Sequence, residues 1–397
     1  MTPPIRPATD ADADGLWDLF QLSFGGKDHE RSQWMDAAEP DRTLLVEGPR
    51  GEVGAAARVL PLEQWFGGRL VPLGGYSPVA VAPEHRGRGW GRAVTVAHLA
   101  AMRERGEVIA GLYPAALSLY RAVGFEAAGS YVHRRFPARD LATMAPRHAV
   151  EVRRGSPSDL AAVRRCHERS GPGRDGTIRR SGAWWDQRLP PDLAGVALYV
   201  IDDPTSPGEV RGYAATRQGP GRRPYDYSVT VVEVLADDPD DVRALWRLVA
   251  SAYAQAPDLH VIGPAEDDLF LLADHTDPEV VRNEIRWMLR LVDLPGAVAA
   301  RGWPPGASGT VHLEVADDQA PWNAGRWVLE VDGGLARLSP GGDGSVQASI
   351  GGLAAWWSGY AAASRLVRTG HLAGDREAVA RLDGLLPAAP PVLLDFY

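Results

Sequence analysis

One segment limits the fold more than any other: Val79-Ala80-Val81-Ala82-Pro83-Glu84-His85-Arg86-Gly87-Arg88-Gly89-Trp90-Gly91-Arg92. Its apolar start reads as a strand, its Arg/Gly middle as a turn, and a helix follows over roughly residues 91–104. Glycines at 87, 89 and 91 allow positive φ and close approach of the backbone to a ligand. Successive N–H groups at a helix start form an anion-binding nest, reinforced by the helix dipole. Arg86 and Arg88 add fixed positive charge. The natural guest is a pyrophosphate. The spacing Gly-x-Gly-x-Gly differs from the Gly-x-Gly-x-x-Gly of a dinucleotide fold, and the Lys and Ser/Thr of a phosphate loop are missing. The competing reading is an Arg/Gly surface turn.

Around this segment the pattern alternates between strands and helices. Ile5-Arg6-Pro7 is short and extended, and Thr9 or Asp10 can cap the helix that carries Leu16, Leu19, Phe20 and Phe24. Thr43–Val46 and Glu52–Leu60 read as a hairpin around Gly48-Pro49-Arg50-Gly51, with two further strands at Arg69–Leu73 and Ser77–Ala82. Val108–Leu112 is a strand, Ala116–Ala122 a short helix, and another strand starts at Phe125. The opening recurs about 147 residues later, where Val152-Arg153-Arg154-Gly155-Ser156 leads into Leu160-Ala161-Ala162-Val163, so the unit is duplicated. Phe136–His148 is the link between the copies. The second copy continues with strands at Ala197–Ile201, Val210–Arg217 and Tyr227–Val234, a helix at Asp240–Tyr253 and a closing strand at Ile285–Val292. From Pro295 the composition changes: strands at Thr310–Val315, Arg326–Val331 and Ser345–Ile350, helices at Gly351–Ser364 and Asp375–Leu385, and an apolar, aromatic last strand, Pro390–Tyr397, that implies a buried end.

The 397 residues fit two to three domains. A net charge of −9 argues against a nucleic-acid partner, which calls for a basic face. The single cysteine, Cys166, excludes an intramolecular disulfide and reads as core. No signal peptide and no apolar run long enough to span a membrane is visible, so the expectation is a cytoplasmic protein. Asp10-x-Asp12-x-Asp14 resembles the start of a calcium loop, but helix capping explains its acids, and no metal is expected.

The second signal is Leu119-Tyr120-Arg121-Ala122-Val123-Gly124-Phe125. Together, Arg-Gly-x-Gly-x-Gly and Tyr-x-x-x-Gly-Phe resemble the GCN5-related N-acetyltransferases (GNAT). Two such units ahead of a compact α+β end, with its Trp356-Trp357-Ser358-Gly359-Tyr360 helix, are similar to the Eis family of actinobacterial acetyltransferases. The resemblance implies an α/β (α+β) chain with a catalytic GNAT domain over 1–145, a degenerate GNAT-like domain over 146–293 and a sterol-carrier-like (SCP2-like) domain over 294–397. It implies a homohexamer and acetyl-CoA as cosubstrate. Val79, Ala80, Val81, Arg86, Gly87, Arg88, Gly89, Trp90, Gly91 and Arg92 would bind acetyl-CoA, with Ala115 and Ala116 in backbone contact. Tyr120 would be the general acid, and the C-terminal carboxylate of Tyr397 the general base.

In the second copy, Asp237, Asp238, Asp240 and Asp241 stand where the first has Arg and Gly, and such a loop repels a pyrophosphate. One cofactor site per chain is therefore expected. Trp17, Phe24, Trp34, Trp65 and Phe66, interleaved with Asp28, Glu30, Asp36 and Glu39, suit a cationic amine: an aminoglycoside, a polyamine or a lysine side chain. Phe24, Asp28 and Trp34 are the substrate-binding candidates. The reading from another class is a non-catalytic protein that binds an apolar ligand or another protein and carries a relic transferase unit. His85 reads as a loop contact, His98 as structural, and the helix Leu353–Tyr360 as core rather than the lining of a lipid cavity.

Overall fold

The computed structural model describes residues 4–25, 40–265, 267–273, 276–282 and 284–397. The chain divides into two units, one of residues 1–129, 286–391 and 396–397, the other of residues 130–285 and 392–395.

The first unit opens with β1 (Ile5–Pro7) and α1 (Ala13–Phe24), then β2 (Thr43–Glu47), β3 (Val53–Phe66) and β4 (Arg69–Val81). These strands pair antiparallel in chain order. β4 is one strand of thirteen residues, not the two read from sequence. The pairing of Ala57 with Val79 and of Val59 with Tyr76 brackets a bulge at Ser77-Pro78 that keeps the ladder going where the pattern looks interrupted. The β3–β4 hairpin turns on Gly67-Gly68, both at positive φ, so the ladder closes at Phe66–Arg69. Next come α2 (Trp90–Glu104), β5 (Ile109–Leu112), α3 (Leu117–Arg121) and β6 (Glu126–Pro137).

The second unit takes up most of β6 and continues through α4 (Ala138–Ala142), β7 (Arg153–Arg154), α5 (Leu160–Ser170), α6 (Gly182–Arg188), β8 (Ala197–Asp202), β9 (Val210–Pro220), β10 (Tyr227–Ala236), α7 (Pro239–Val249), β11 (Asp258–Pro264), α8 (Leu269–Leu272) and β12 (Glu279–Val280). Its sheet runs β7-β8-β9-β10 antiparallel, then β11 parallel to β10. Phe136–His148 is therefore not a plain link: β6 reaches Pro137, and its Tyr131–Pro137 half pairs antiparallel with β11.

The duplication is visible at atomic level. Arg6 holds Asp12 with two bonds of 2.8 Å, and Asp12 accepts the Thr9 N–H at 2.8 Å. Arg153 holds Asp159 at 3.1 and 2.8 Å, and Asp159 accepts the Ser156 N–H at 2.8 Å. These bonds occupy Asp12 in capping, as the sequence indicates.

β13 (Ile285–Leu291), read from sequence as the closing strand of the second copy, lies between β5 and β6 in the sheet. It pairs antiparallel with β5 of the first unit, Met288 opposite Leu112 and Leu291 opposite Ile109. The remainder belongs to the first unit as well: α9 (Leu294–Ala300), a sheet ordered β16 (Leu335–Pro340), β15 (Gly325–Asp332), β14 (Gly309–Ala316), β17 (Val346–Ser349) and β18 (Leu372–Gly374), and helices α10 (Ile350–Trp357), α11 (Ala363–Arg368) and α12 (Arg376–Leu385). The single helix read over Gly351–Ser364 is two helices, broken after Trp357. Its tryptophans are core. Trp357 packs on Phe66 at 4.8 Å, Trp356 on Trp303 at 5.8 Å, and the buried Arg301 donates to the Trp357 carbonyl and stacks on its ring. Residues 387–397 form neither helix nor strand, contrary to the last strand read from sequence. Leu393, Asp395 and Tyr397 are nonetheless buried in alternation with Phe396, which is exposed.

Candidate active site

The site grows from the point where β4 and β5 part. Only Leu73–Gly75 and Ile109–Gly111 pair in parallel; beyond them β4 continues to Val81 along β3 alone. A strand that leaves its neighbour exposes N–H and C=O groups to a ligand. Val79 and Val81 face the α2 side, against the clusters of Tyr120 and of Trp90, while Ala80 faces α1 with Leu16 and Leu19.

After Val81 the chain makes one 3-10 turn, Pro83–His85, and enters the Arg/Gly loop. Gly87 and Gly89 have φ of 75° and 79°, and nothing lies within 4 Å of where a Cβ would stand on either. Any other residue there is strained, and a side chain would fill the open space above the backbone. Gly89 caps α2 without a side-chain hydrogen bond, and the first turn carries no acid. The N–H groups of Trp90, Gly91 and Arg92 thus open a fifteen-residue helix with the polarity that favours an anion. Arg86 folds back to the Val81 carbonyl at 3.3 Å, and Arg88 lies over the Trp90 ring at 5.7 Å. The Trp90 ring itself is buried with Val46 and Ala55, so this residue offers its backbone rather than its indole. His85 is a loop contact as read: it bonds Glu52 at 2.8 Å and stacks on Trp90 at 4.4 Å. Gly54 sits beneath this stack, where a Cβ would collide with Trp90. Sequence reasoning missed both Glu52 and Gly54, because only the folded hairpin brings them to the loop.

Tyr120 lies in α3 and is buried with Tyr76, Leu99 and Phe125 on the α2 side of the sheet. Its ring meets Phe125 edge-on at 5.9 Å, and burial pushes its phenol up to about 12. Ala115 and Ala116 are exposed in the segment entering α3, with Ala116 as its N-cap. Tyr397 lies on the other face. A Cβ on Gly75 would stand 3.0 Å from its ring, and one on Gly111 2.5 Å from its hydroxyl. The register partners Gly75 and Gly111 are therefore a slot for this ring. Tyr113, just past β5, flanks it at 5.8 Å and stacks on Phe396 at 4.7 Å. The fork thus has Tyr120 on one side and Tyr397 on the other.

The candidates for amine binding fare differently. Asp28 and Trp34 lie outside the described residues. Phe24 is half exposed at the end of α1 and packs on Phe20 at 5.5 Å. Trp17 and Phe66 are core, not pocket. A shallow depression lies on the α1 side of β4, lined by Leu16, Leu19, Phe20, Pro78, Ala80 and the buried Arg58. Arg58 donates to the Ser77 carbonyl at 2.7 Å, and burial lowers its pKa to about 10. His98 is structural: it bonds the Ala57 carbonyl at 2.8 Å, and burial lowers its pKa to about 4. Cys166 is core, its thiol pushed up to about 11 by burial. No group of metal-ligating side chains occurs among the described residues, and no helix among them is long and apolar enough to cross a membrane.

The second copy repeats the frame without the loop. β10 and β11 pair in parallel over Val229–Val231 and Leu259–Val261. At the start of α7, Asp238 accepts the N–H groups of Asp240 and Asp241 at 2.8 and 3.3 Å, so the helix is capped by its own chain. Beside β10, the buried Arg180 holds Glu233 at 2.9 and 2.7 Å and Asp395 at 2.9 Å, and Tyr213 donates to Glu233 at 2.6 Å. Burial alone would raise the pKa of Glu233, but the guanidinium of Arg180 outweighs it and holds the carboxyl well below its usual range.

Comparison with known proteins agrees with this architecture. Residues 4–128 and 176–291 each match the acetyltransferase (GNAT) domain family, and residues 294–394 the sterol carrier protein domain family. An uncharacterized N-acetyltransferase of Streptomyces coelicolor is 31% identical over 77% of this chain and 78% of its own. The N-acetyltransferase Eis of Mycobacterium tuberculosis is 27% identical over the whole of both chains. Among solved structures, a GCN5-related N-acetyltransferase from Kribbella flavida superposes with a TM-score of 0.85 at 32% identity, covering 100% of this chain and 99% of that one. One from Anabaena variabilis reaches a TM-score of 0.89 at 26% identity, covering 99% of this chain and 100% of the other. GNAT acetyltransferases use acetyl-CoA. With two such domains and a sterol-carrier end in this order, the chain belongs to the Eis family of GCN5-related N-acetyltransferases.

Proposed function

We propose that the chain transfers the acetyl group of acetyl-CoA to a primary amine of a cationic substrate, an aminoglycoside, a polyamine or a lysine side chain. The observation that carries this reading is the fork of β4 and β5, with an uncapped helix start above it and a tyrosine on each side. Val79, Ala80 and Val81 offer backbone groups to the pantetheine arm. Arg86 and the run Gly87–Arg92 hold the pyrophosphate, and Ala115 and Ala116 touch the cofactor through their backbone. Phe24, Asp28 and Trp34 border the amine. The corresponding domain borders are 1–145, 146–293 and 294–397, the location is cytoplasmic, and the assembly is a homohexamer, which light scattering tests.

The amine nitrogen attacks the thioester carbonyl, the C–S bond breaks, and the thiolate takes its proton from Tyr120. The ammonium proton leaves to the carboxylate of Tyr397. A free thiol has a pKa of about 8.5, well below the value of about 12 to which burial pushes Tyr120. Tyr120 therefore acts by hydrogen-bonding the sulfur as charge develops and parts with its proton only as the bond breaks. An unperturbed terminal carboxyl (~3.5) is a weak base towards an alkylammonium (~10.4), so the amine arrives deprotonated, and the rate rises with pH. Because Tyr120 stays protonated, kcat/KM should climb through pH 9 without a falling limb.

The test measures CoA release with a panel of aminoglycosides, polyamines and lysine peptides. We expect turnover in wild type, a loss of about a hundredfold in Tyr120→Phe, and a comparable loss when a few residues are appended after Tyr397. No turnover with any amine sinks the transferase reading. Full turnover in the extended protein removes the carboxylate base alone.

A further inference from the structure

The Tyr120 segment is held by groups that lie outside residues 4–128. Tyr120 opens a turn in which the N–H groups of Val123 and Phe125 both bond its carbonyl at 3.1 Å. The Val123 carbonyl accepts Nε of Arg290, on β13, at 3.0 Å. Arg290 is fully buried, and its Nη1 donates to the Leu291 carbonyl at 2.7 Å. Its Nη2 is held by both oxygens of Asp317, just past β14, at 2.8 and 2.6 Å. Asp317 is fixed in turn by the Ala320 N–H at 3.0 Å and by Nδ2 of Asn323 at 3.0 Å. A Cβ on Gly124 would stand 2.8 Å from Nε of Arg290, so the glycine of the Tyr-x-x-x-Gly motif makes room for this guanidinium.

A charged pair this deep is costly to bury and adds little stability over an apolar pair of the same shape, though breaking it by removing one partner is severe. What it supplies is geometry. A guanidinium is planar and rigid, so fixing its far side on Asp317 aims Nε at one backbone oxygen. That oxygen lies three residues from the phenol proposed to meet the leaving sulfur, and misplacing such a donor by about 1 Å can cost on the order of a hundredfold in rate.

We propose that Arg290 and Asp317 are positioning residues for Tyr120: the sterol-carrier-like domain clamps Arg290, and Arg290 sets the turn from which Tyr120 projects. The inference rests on the reading of Tyr120 as the acid. It gives that domain a part in acetyl transfer that requires no lipid.

The experiment is a kinetic cycle on the full chain: wild type, Tyr120→Phe, Asp317→Asn and the double variant, with Arg290→Lys as a second probe. The lysine keeps a buried cation beside Asp317 but cannot also reach the Val123 carbonyl. Asp317→Asn and Arg290→Lys should each lower kcat about tenfold, with KM for acetyl-CoA within twofold, since the Arg/Gly loop is untouched. In the Tyr120→Phe background Asp317→Asn should lower kcat no further. Equal losses in both backgrounds, or wild-type kcat in both single variants, overturn the positioning role. If Asp317→Asn does not fold, the same cycle run with Arg290→Lys decides in its place. Unchanged kcat in Tyr120→Phe removes the acid itself, an outcome distinct from an impaired Tyr120→Phe beside a normal Asp317→Asn.

Discussion

The two copies share a frame and differ in a handful of side chains. Each begins with an arginine clamped on the aspartate of a capping box ahead of the first helix, and each has a parallel pair that lasts three residues before it parts. In the first copy the helix beyond the parting strand starts on Gly89 with no cap; in the second Asp238 closes it. In the first the fork is lined by Gly75 and Gly111 and takes an aromatic ring; in the second the flank of β10 is filled by Arg180, Glu233 and Tyr213. The shared backbone therefore leaves the helix start to decide: it is open in the first copy, as an anion requires, and already satisfied by its own aspartate in the second.

The largest effect should come from emptying the buried cluster of the second copy. Arg180→Met leaves Glu233 and Asp395 buried with the partly exposed Arg188 at 3.7 and 3.6 Å as a neighbouring cation. We expect a loss of about 3–5 kcal/mol in urea unfolding; a loss below ~1 kcal/mol would show that Arg188 takes over.

Next in size is importing the second copy's acid into the first. Gly89→Asp should raise KM for acetyl-CoA at least tenfold, well beyond Gly89→Asn, which bears the same backbone strain without the charge. Equal KM values would assign the effect to strain rather than charge.

The last test concerns pH, because each copy buries a histidine held neutral by its surroundings. His98 and His167 are both lowered to about 4, mainly by burial. The unfolded chain takes up these protons near pH 6.5 and the folded one only near 4. Stability is therefore fully present above 6.5 and lost as pH falls towards 4, by at most ~3 kcal/mol for each histidine. Thermal melts of His98→Gln and His167→Gln should each show a shallower loss across that window; parallel curves would assign it to other groups.

Local chemistry was legible in the sequence, and pairing was not. The duplication could be read because Arg6, Thr9 and Asp12 bond one another within a few residues, as do Arg153, Ser156 and Asp159. The Arg/Gly loop could be read because its glycines act through the backbone. Gly74-Gly75 looked like the end of a strand, yet those glycines make room for Met102 and for the Tyr397 ring, contacts set by distant chain. The destination of β13 was hidden for the same reason, since a strand's own pattern does not name its neighbour. Glu52, Gly54, Arg290 and Asp317 carry no motif and reach the site region only through the fold.

A duplicated unit is ordinarily free to lose one of its halves. Here β5, the strand that forms one side of the fork, has β13 as its antiparallel neighbour, and β13 is encoded at the end of the matched second GNAT domain. Deleting the second copy would leave β5 as a raw sheet edge beside the fork. Whatever else it does, the second copy is tied to the first by a strand it lends.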